Sequence, residues 1–223
     1  MRAPPTFQDD LFAANATSPM QRLEEGFFCL RSRVQTTRLI GHIERITQSA
    51  PFRHMTVPGG GRMSVAMSNC GSVGWVADQQ GYRYTGVDPL SGKPWPAMPD
   101  EFLQLARSAA AEAGFAHFDP DACLINRYVA GAALGVHRDA DEENHEQPIV
   151  SVSIGTSAVF LWGGLRRREP LRRMPLHDGD VLVWGGPARL KYHGVLPLAH
   201  ADSGALRFNL TFRRAKAPRS CDR

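Results

Sequence analysis

Cysteine is scarce: Cys29, Cys70, Cys123 and Cys221 are spread through 223 residues and never form a C-x-x-C pair. A disulfide framework or a structural zinc cluster needs closer spacing, so both are excluded. Reduced thiols in a cytosolic compartment are the simplest reading. Long apolar runs are also missing. No stretch approaches the roughly 18 apolar residues of a membrane span, and the opening MRAPPTFQDDLF has no apolar signal-peptide core. A soluble, cytoplasmic protein with no membrane partner is expected. Nor is there an internal repeat or a low-complexity tract. Charge is nearly balanced, at 26 Lys and Arg against 22 Asp and Glu, net +4. That excess suits a polyanionic partner, but only breaks ties.

What is present describes one globular domain. The hydrophobic fraction is 43% and the charged fraction 22%, which excludes wholesale disorder. Twenty-one glycines and 16 prolines favour many short elements joined by tight turns. Residues 1–26 read as an irregular lead-in. Val34, Ile40, Ile43 and Ile46 mark an amphipathic helix over 34–48. A second helix is expected from an N-cap at Asp100, through Phe102, Leu105, Ala106 and Ala109, to a stop at Gly114. Between them, 51–98 reads as mostly irregular, with a strand only at 62–67. So long an irregular stretch inside a compact domain is usually a lid or binding loop. From residue 120 short apolar runs alternate with turn signals: IVSVSI, AVFLW, VLVW and LRFNLTF are separated by GG and DGD. Spaced runs of this kind predict an antiparallel sandwich or barrel.

His137-x-Asp139, with His193 far downstream, offers two imidazoles and a carboxylate. These are the ligands of the facial triad that leaves open positions on Fe(II). In extended chain, residues i and i+2 share a face and can grip one metal. The pattern alone is weak, because H-x-D also occurs at His117–Asp119 and His200–Asp202. No histidine follows the last copy. His117–Asp119 comes after a helix stop and before Pro120, as a connecting turn would.

In LRFNLTFRR, Leu206, Phe208, Leu210 and Phe212 alternate with Arg207, Asn209, Thr211 and Arg213. The common interpretation is a surface strand with its polar face in water. The rival is a barrel strand whose polar face lines a binding interior, where Arg207 holds a carboxylate of a dicarboxylate co-substrate. The same parity in CLINRYVAG puts Asn126 and Tyr128 on one face, although Tyr128 also fits a core tyrosine with a satisfied hydroxyl.

At these residues the chain resembles the AlkB family of DNA and RNA dealkylases. The resemblance runs from about Arg62 to Arg213, through SVAMSNCGSVGW, GYRY, GKPWPAMP, PDACLINRY, PIVSVSIG, GGLRR, GDVLVWGG, YHGV and RFNLTFR. It implies a mainly β fold with flanking helices (α+β), built on a double-stranded β-helix, or jelly-roll, core over 120–214. Helices and a nucleotide-recognition lid would occupy 27–119, and a tail 215–223. It implies Fe(II) at His137, Asp139 and His193, with 2-oxoglutarate and O2 as co-substrates. Asn126, Arg127, Tyr128, Arg207, Asn209 and Arg213 would bind 2-oxoglutarate. Trp75 would stack on the target base, Tyr82, Arg83 and Tyr84 would serve the phosphate side, Asp141 would face the exocyclic amine, and Arg167 would add a substrate contact. The implied activity is oxidative demethylation of bases such as 1-methyladenine and 3-methylcytosine. The implied partner is DNA, single-stranded or with a flipped base, or RNA, and a monomer is expected. The chain departs from the pattern at Phe208, at Ala140 and in a short 194–206 segment, which bear on substrate preference.

Two rivals stand beside this: a 2-oxoglutarate oxygenase of proteins or small molecules, which needs no aromatic lid, and a silent nucleic-acid-binding barrel. Arg166, Arg168, Arg172 and Arg173 read equally well as a phosphate rim or as a solvated hairpin. The acidic run DEENHE at 141–146 is expected to be a solvated loop, Asp141 excepted.

Overall fold

A computed structural model describes residues 20–199 and 204–217. Most of the expected lead-in, the end of the tail, Cys221 and the His200–Asp202 pair lie outside the described residues, as does part of the short 194–206 segment.

The first half of the chain contributes β1 (Met20–Glu24), β2 (Phe27–Leu30), α1 (Thr37–Ser49), β3 (Arg53–Thr56), β4 (Arg62–Gly71), β5 (Gly74–Asp78), β6 (Gly81–Thr85) and α2 (Asp100–Glu112). The second half is almost all strand: β7 (Ala122–Val129), β8 (Leu134–His137), β9 (Ile149–Gly155), β10 (Ala158–Trp162), β11 (Arg172–Leu176), β12 (Val181–Trp184), β13 (His193–Val195) and β14 (Leu206–Arg213). They form an eight-stranded sheet, β1-β2-β12-β9-β14-β7-β4-β3, facing a four-stranded sheet, β11-β10-β13-β8. Every pairing in both sheets is antiparallel. The expected antiparallel sandwich with flanking helices is the observed architecture.

Strand alternation divides the large sheet into two working faces. Ile125, Val150, Val152, Ile154, Leu210 and Phe212 pack against Leu39, Ile43 and Ile46 of α1 and Phe102, Leu105 and Ala109 of α2. Burying such aliphatic and aromatic side chains contributes about 1.5–3 kcal/mol each, so this layer anchors the fold. The opposite face turns toward the small sheet. There Phe27, Phe160, Trp162, Leu182 and Trp184 close one end of the sandwich, and the other end stays open as a cavity.

Several boundaries differ from expectation. Met20–Glu24 is a strand, not lead-in, because it pairs with β2 at the end of the large sheet. The 51–98 segment holds four strands, of which β3 and β4 complete the large sheet while β5 and β6 form a separate hairpin. Gly and polar residues hide their periodicity, and cross-strand partners distant in sequence supply the missing stabilisation. Pro99, rather than Asp100, occupies the α2 N-cap, and Asp100 and Glu101 occupy the first turn, where the helix dipole favours acids. Cys29, Cys70 and Cys123 are buried free thiols. Burial pushes the Cys29 thiol up to about 11.

Candidate active site

The cavity between the sheets measures about 560 Å³, within the range of small-molecule sites. Its floor is the polar face of β14: Arg207, Asn209, Thr211 and Arg213 all line it, with Asn126 and Tyr128 of β7 and Ser151 of β9 beside them. The interior-lining alternative for LRFNLTF is the one observed.

At one end of the floor stand His137, Asp139 and His193. His137 and His193 are directly opposed across β8 and β13, and Asp139 follows β8 by two residues. The candidate ligand atoms all lie within 4.8 Å of one another. His137 Nε2 is 3.6 Å from Asp139 Oδ1, and His193 Nε2 is 3.8 Å from Asp139 Oδ2. Each imidazole donates its Nδ1–H to a backbone carbonyl, Gly135 at 2.8 Å and Lys191 at 3.0 Å. That selects the tautomer with a free Nε2 lone pair, as a metal ligand requires. Gly194 allows the close approach of β13 to β8: a Cβ there would lie 2.8 Å from the Leu134 carbonyl oxygen.

The electrostatics suit a divalent cation. Burial alone would raise the Asp139 pKa, but Arg213 and the two imidazoles hold it well below the usual carboxylate range. Burial, with His137 alongside, lowers His193 to about 4, so this ligand is neutral near pH 7. For His137, burial lowers the pKa, but the hydrogen bond and charge of Asp139 together with the Gly135 carbonyl outweigh it and leave the pKa raised. Two neutral-capable imidazoles and one carboxylate converging on one point fit Fe(II).

An anion site lies further along the floor. Arg207 is 1% exposed, and only its Nη2 is satisfied, donating to Ser153 Oγ at 2.9 Å. Among the described residues its buried Nε and Nη1 have no hydrogen-bond partner, nor does buried Asn126 Oδ1. A buried guanidinium without a carboxylate is costly, and these donors fit the carboxylate of a dicarboxylate such as 2-oxoglutarate. Tyr128 packs beside Arg207, and burial pushes its hydroxyl up to about 12, so it stays protonated and able to donate. Asn209 is committed to the wall: its Nδ2 donates to Ser151 Oγ and the Val152 carbonyl, and its Oδ1 accepts from Thr211.

Arg127 does not join this set. Strand alternation turns it to the opposite face of β7, where its guanidinium lies 4.7 Å from the Phe52 ring centroid. Its expected co-substrate role is corrected accordingly. Arg83 likewise turns away from the cavity, into a two-pronged pair with Asp78 at 2.7 and 2.8 Å.

The β5–β6 hairpin roofs the cavity. Trp75 and Tyr82 stack at 5.7 Å with their planes 10° apart, and Trp75 Nε1–H donates to Asp141 Oδ2 at 2.8 Å. Tyr84 lines the cavity too, but its hydroxyl donates to Glu142 Oε1 at 2.7 Å. Arg167 reaches the cavity rim beside Tyr192.

Glu142 and Arg189 were missed by sequence reasoning. Glu142 is buried rather than solvated. It pairs with Arg213 Nε at 3.2 Å and Arg189 Nη2 at 3.1 Å. Arg213 continues to Asp139 Oδ2 at 2.8 Å, and Arg189 donates to the Asp139 and Gln147 carbonyls at 2.9 and 3.0 Å. Tyr84 of the hairpin is thus joined to Asp139 through buried ion pairs. An acid inside an acidic run carries no local signal of burial; only the two distant arginines reveal it. His117, by contrast, sits in the expected turn, and Asp119 pairs with Arg107 and Arg214.

Comparison with known proteins agrees with this geometry. The model of the 2OG-Fe(II) oxygenase superfamily matches residues 26–213. The chain is 53% identical over 180 residues to the alpha-ketoglutarate-dependent dioxygenase AlkB of Salmonella typhimurium, covering 79% of this chain and 83% of that protein. It is 33% identical over 166 residues to the DNA N(6)-methyladenine demethylase ALKBH1C of Arabidopsis thaliana, covering 61% of this chain and 36% of that one. The solved structure of OsALKBH1 superposes with a TM-score of 0.73 at 27% identity, covering 88% of this chain and all of that one.

Proposed function

Since the chain belongs to the 2OG-Fe(II) oxygenase superfamily and, within it, to the AlkB family, we propose that it oxidatively demethylates N-alkylated bases of nucleic acid. Bases such as 1-methyladenine and 3-methylcytosine, in DNA or RNA, are the substrates. The reaction consumes 2-oxoglutarate and O2 and releases succinate, CO2 and formaldehyde. The observation that carries the reading is the shared cavity. It joins a two-histidine, one-carboxylate cluster, a buried arginine with unused donors and an aromatic roof.

His137, Asp139 and His193 would hold Fe(II), which with O2 and 2-oxoglutarate supplies the oxidising equivalent that hydroxylates an N-methyl carbon. The remaining work belongs to the chain. Arg207, with Asn126 and Tyr128 beside it, binds a carboxylate of 2-oxoglutarate and sets its orientation. Arg213 holds the Asp139 carboxylate in place and ionised. Met63, Met67, Leu124 and Leu134 line the cavity with apolar surface, which excludes water from the reacting carbon. Trp75 and Tyr82 provide the flat surface on which a base stacks, and Asp141 stands ready to accept from an exocyclic amine. A base inside a duplex cannot reach this floor, so the substrate is a single strand or a flipped base. A monomeric, cytoplasmic enzyme completes the reading, and sedimentation and cell fractionation test those two points.

The aromatic roof favours this reading over an oxygenase of proteins or small molecules. Purified protein supplied with iron, ascorbate and 2-oxoglutarate, assayed against a panel of methylated oligonucleotides, tests it: formaldehyde release from methylated strands alone is expected.

A further inference from the structure

The densest basic cluster in the sequence lies on the arm that joins β10 to β11 and on the first two residues of β11, at and beyond the cavity rim. Arg166, Arg167, Arg168, Arg172 and Arg173 face one acid, Glu169, a net charge equal to that of the entire chain. All five arginines are exposed. None has a described carboxylate within the 4.0 Å of an ion pair. Glu169 is occupied with the arm itself, its Oε1 accepting from the Arg166 N–H at 2.8 Å. Such a cluster repels itself, and a polyanion of closely spaced charges relieves the repulsion.

The arm is also fixed in place. The Glu169 N–H donates to the Arg166 carbonyl at 3.1 Å, which closes the turn. At its base, the Gly163 N–H donates to the Tyr192 carbonyl at 2.8 Å and the Tyr192 N–H to the Gly164 carbonyl at 3.0 Å. Tyr192 directly precedes His193, so the arm is registered against the metal cluster. The Tyr192 ring also has two guanidiniums near it, Arg138 at 5.7 Å and Arg167 at 6.0 Å. Both line the cavity, and neither has a described carboxylate partner.

Strand alternation sorts the arginines. Arg172 lies opposite Trp162 and shares a face with Met174 and Leu176, the latter a cavity-lining residue. Arg173 lies opposite Leu161 and shares the outer face with Pro175. Arg138 and Arg167 thus stand at the cavity rim and Arg172 on the inward face of β11, Arg166 and Arg168 flank Arg167 in the chain, and Arg173 lies on the other face of β11.

We propose that this arm is a track for the nucleic-acid backbone, on which Arg166, Arg168 and Arg172 bind phosphates of the strand whose base enters the cavity. The proposal rests on the nucleic-acid reading above. The test uses the full chain, a labelled unmethylated single-stranded oligonucleotide, and a series of salt concentrations. Each phosphate contact contributes about 0.7 to the salt slope of single-strand binding, so R166Q/R168Q/R172Q should reduce the slope by about 2 and weaken low-salt binding at least tenfold. Substrate-free turnover of 2-oxoglutarate and the melting temperature should stay at wild-type values. R166K/R168K/R172K should restore the slope, and R173Q should not alter it. An unchanged slope in the glutamine triple variant overturns the track. An equal loss in R173Q overturns it as well, because the arm would then be a diffuse field. Were the wild type to show no salt-dependent strand binding at all, the nucleic-acid reading itself would fall, and the track with it.

Discussion

The floor and the roof of the cavity are built on different principles. On the floor, Arg207, Asn209, Thr211 and Arg213 are all buried side chains of a central strand, held on both edges by β7 and β9. In the roof, β5 and β6 pair only with each other among the described residues, and Tyr82 is 47% exposed. A buried polar floor keeps its geometry whether or not anything is bound, because every displaced hydrogen bond is costly. A two-stranded hairpin has little stability of its own, and here it is held from outside: Asn69 exchanges two hydrogen bonds with the Trp75 backbone, Val76 and Ala77 are buried against Met55 and Met67, and Trp75 and Tyr84 reach Asp141 and Glu142. Floor residues should therefore govern iron and co-substrate, and roof residues the nucleic acid.

The largest expected effect is at the floor's metal end. Replacing His193 or Asp139 by alanine should abolish iron-dependent 2-oxoglutarate turnover, while His117→Ala should leave it intact; full activity in His193→Ala would refute the ligand set. Arg189→Met comes next. It leaves Glu142 and two carbonyls without their buried cation, at a cost of about 3–5 kcal/mol. A thermal melt should show a marked drop, with weaker iron binding. If the melt stays at its wild-type position, the Arg189 brace carries no stability.

Arg207→Ala should raise the KM for 2-oxoglutarate at least tenfold, since a buried charge loses its partner at about 2–5 kcal/mol. An unchanged KM would pass the role to Arg213. Smallest is the roof. Trp75→Ala removes a stacking surface of about 1–3 kcal/mol, so oligonucleotide demethylation should fall about 5- to 150-fold. Substrate-free 2-oxoglutarate turnover and stability should hardly change. Wild-type repair by this variant would remove the distinction between floor and roof.

The two regions also differ in how far they can be read from sequence. The strict alternation of LRFNLTF encodes a two-faced strand locally, and the H-x-D pair locally puts two ligands on one face, whereas the third, His193, is brought in only by the pairing of β13 with β8. Arg127 stands inside the NRY motif, yet the same alternation carries it to the far face. The roof's strands were not legible, because glycine, aspartate and glutamine interrupt GWVADQQGYRYT and the pairing shows only in three dimensions. Glu142 looked like one more solvated acid because its arginine partners lie 47 and 71 residues away in the chain.

The most direct test of the account measures succinate and formaldehyde together, with a 1-methyladenine oligonucleotide as substrate. One formaldehyde per succinate on the methylated strand, with only slow succinate and no formaldehyde on the unmethylated control, is the predicted result. Succinate formed at the same rate on both strands, without formaldehyde, would contradict it.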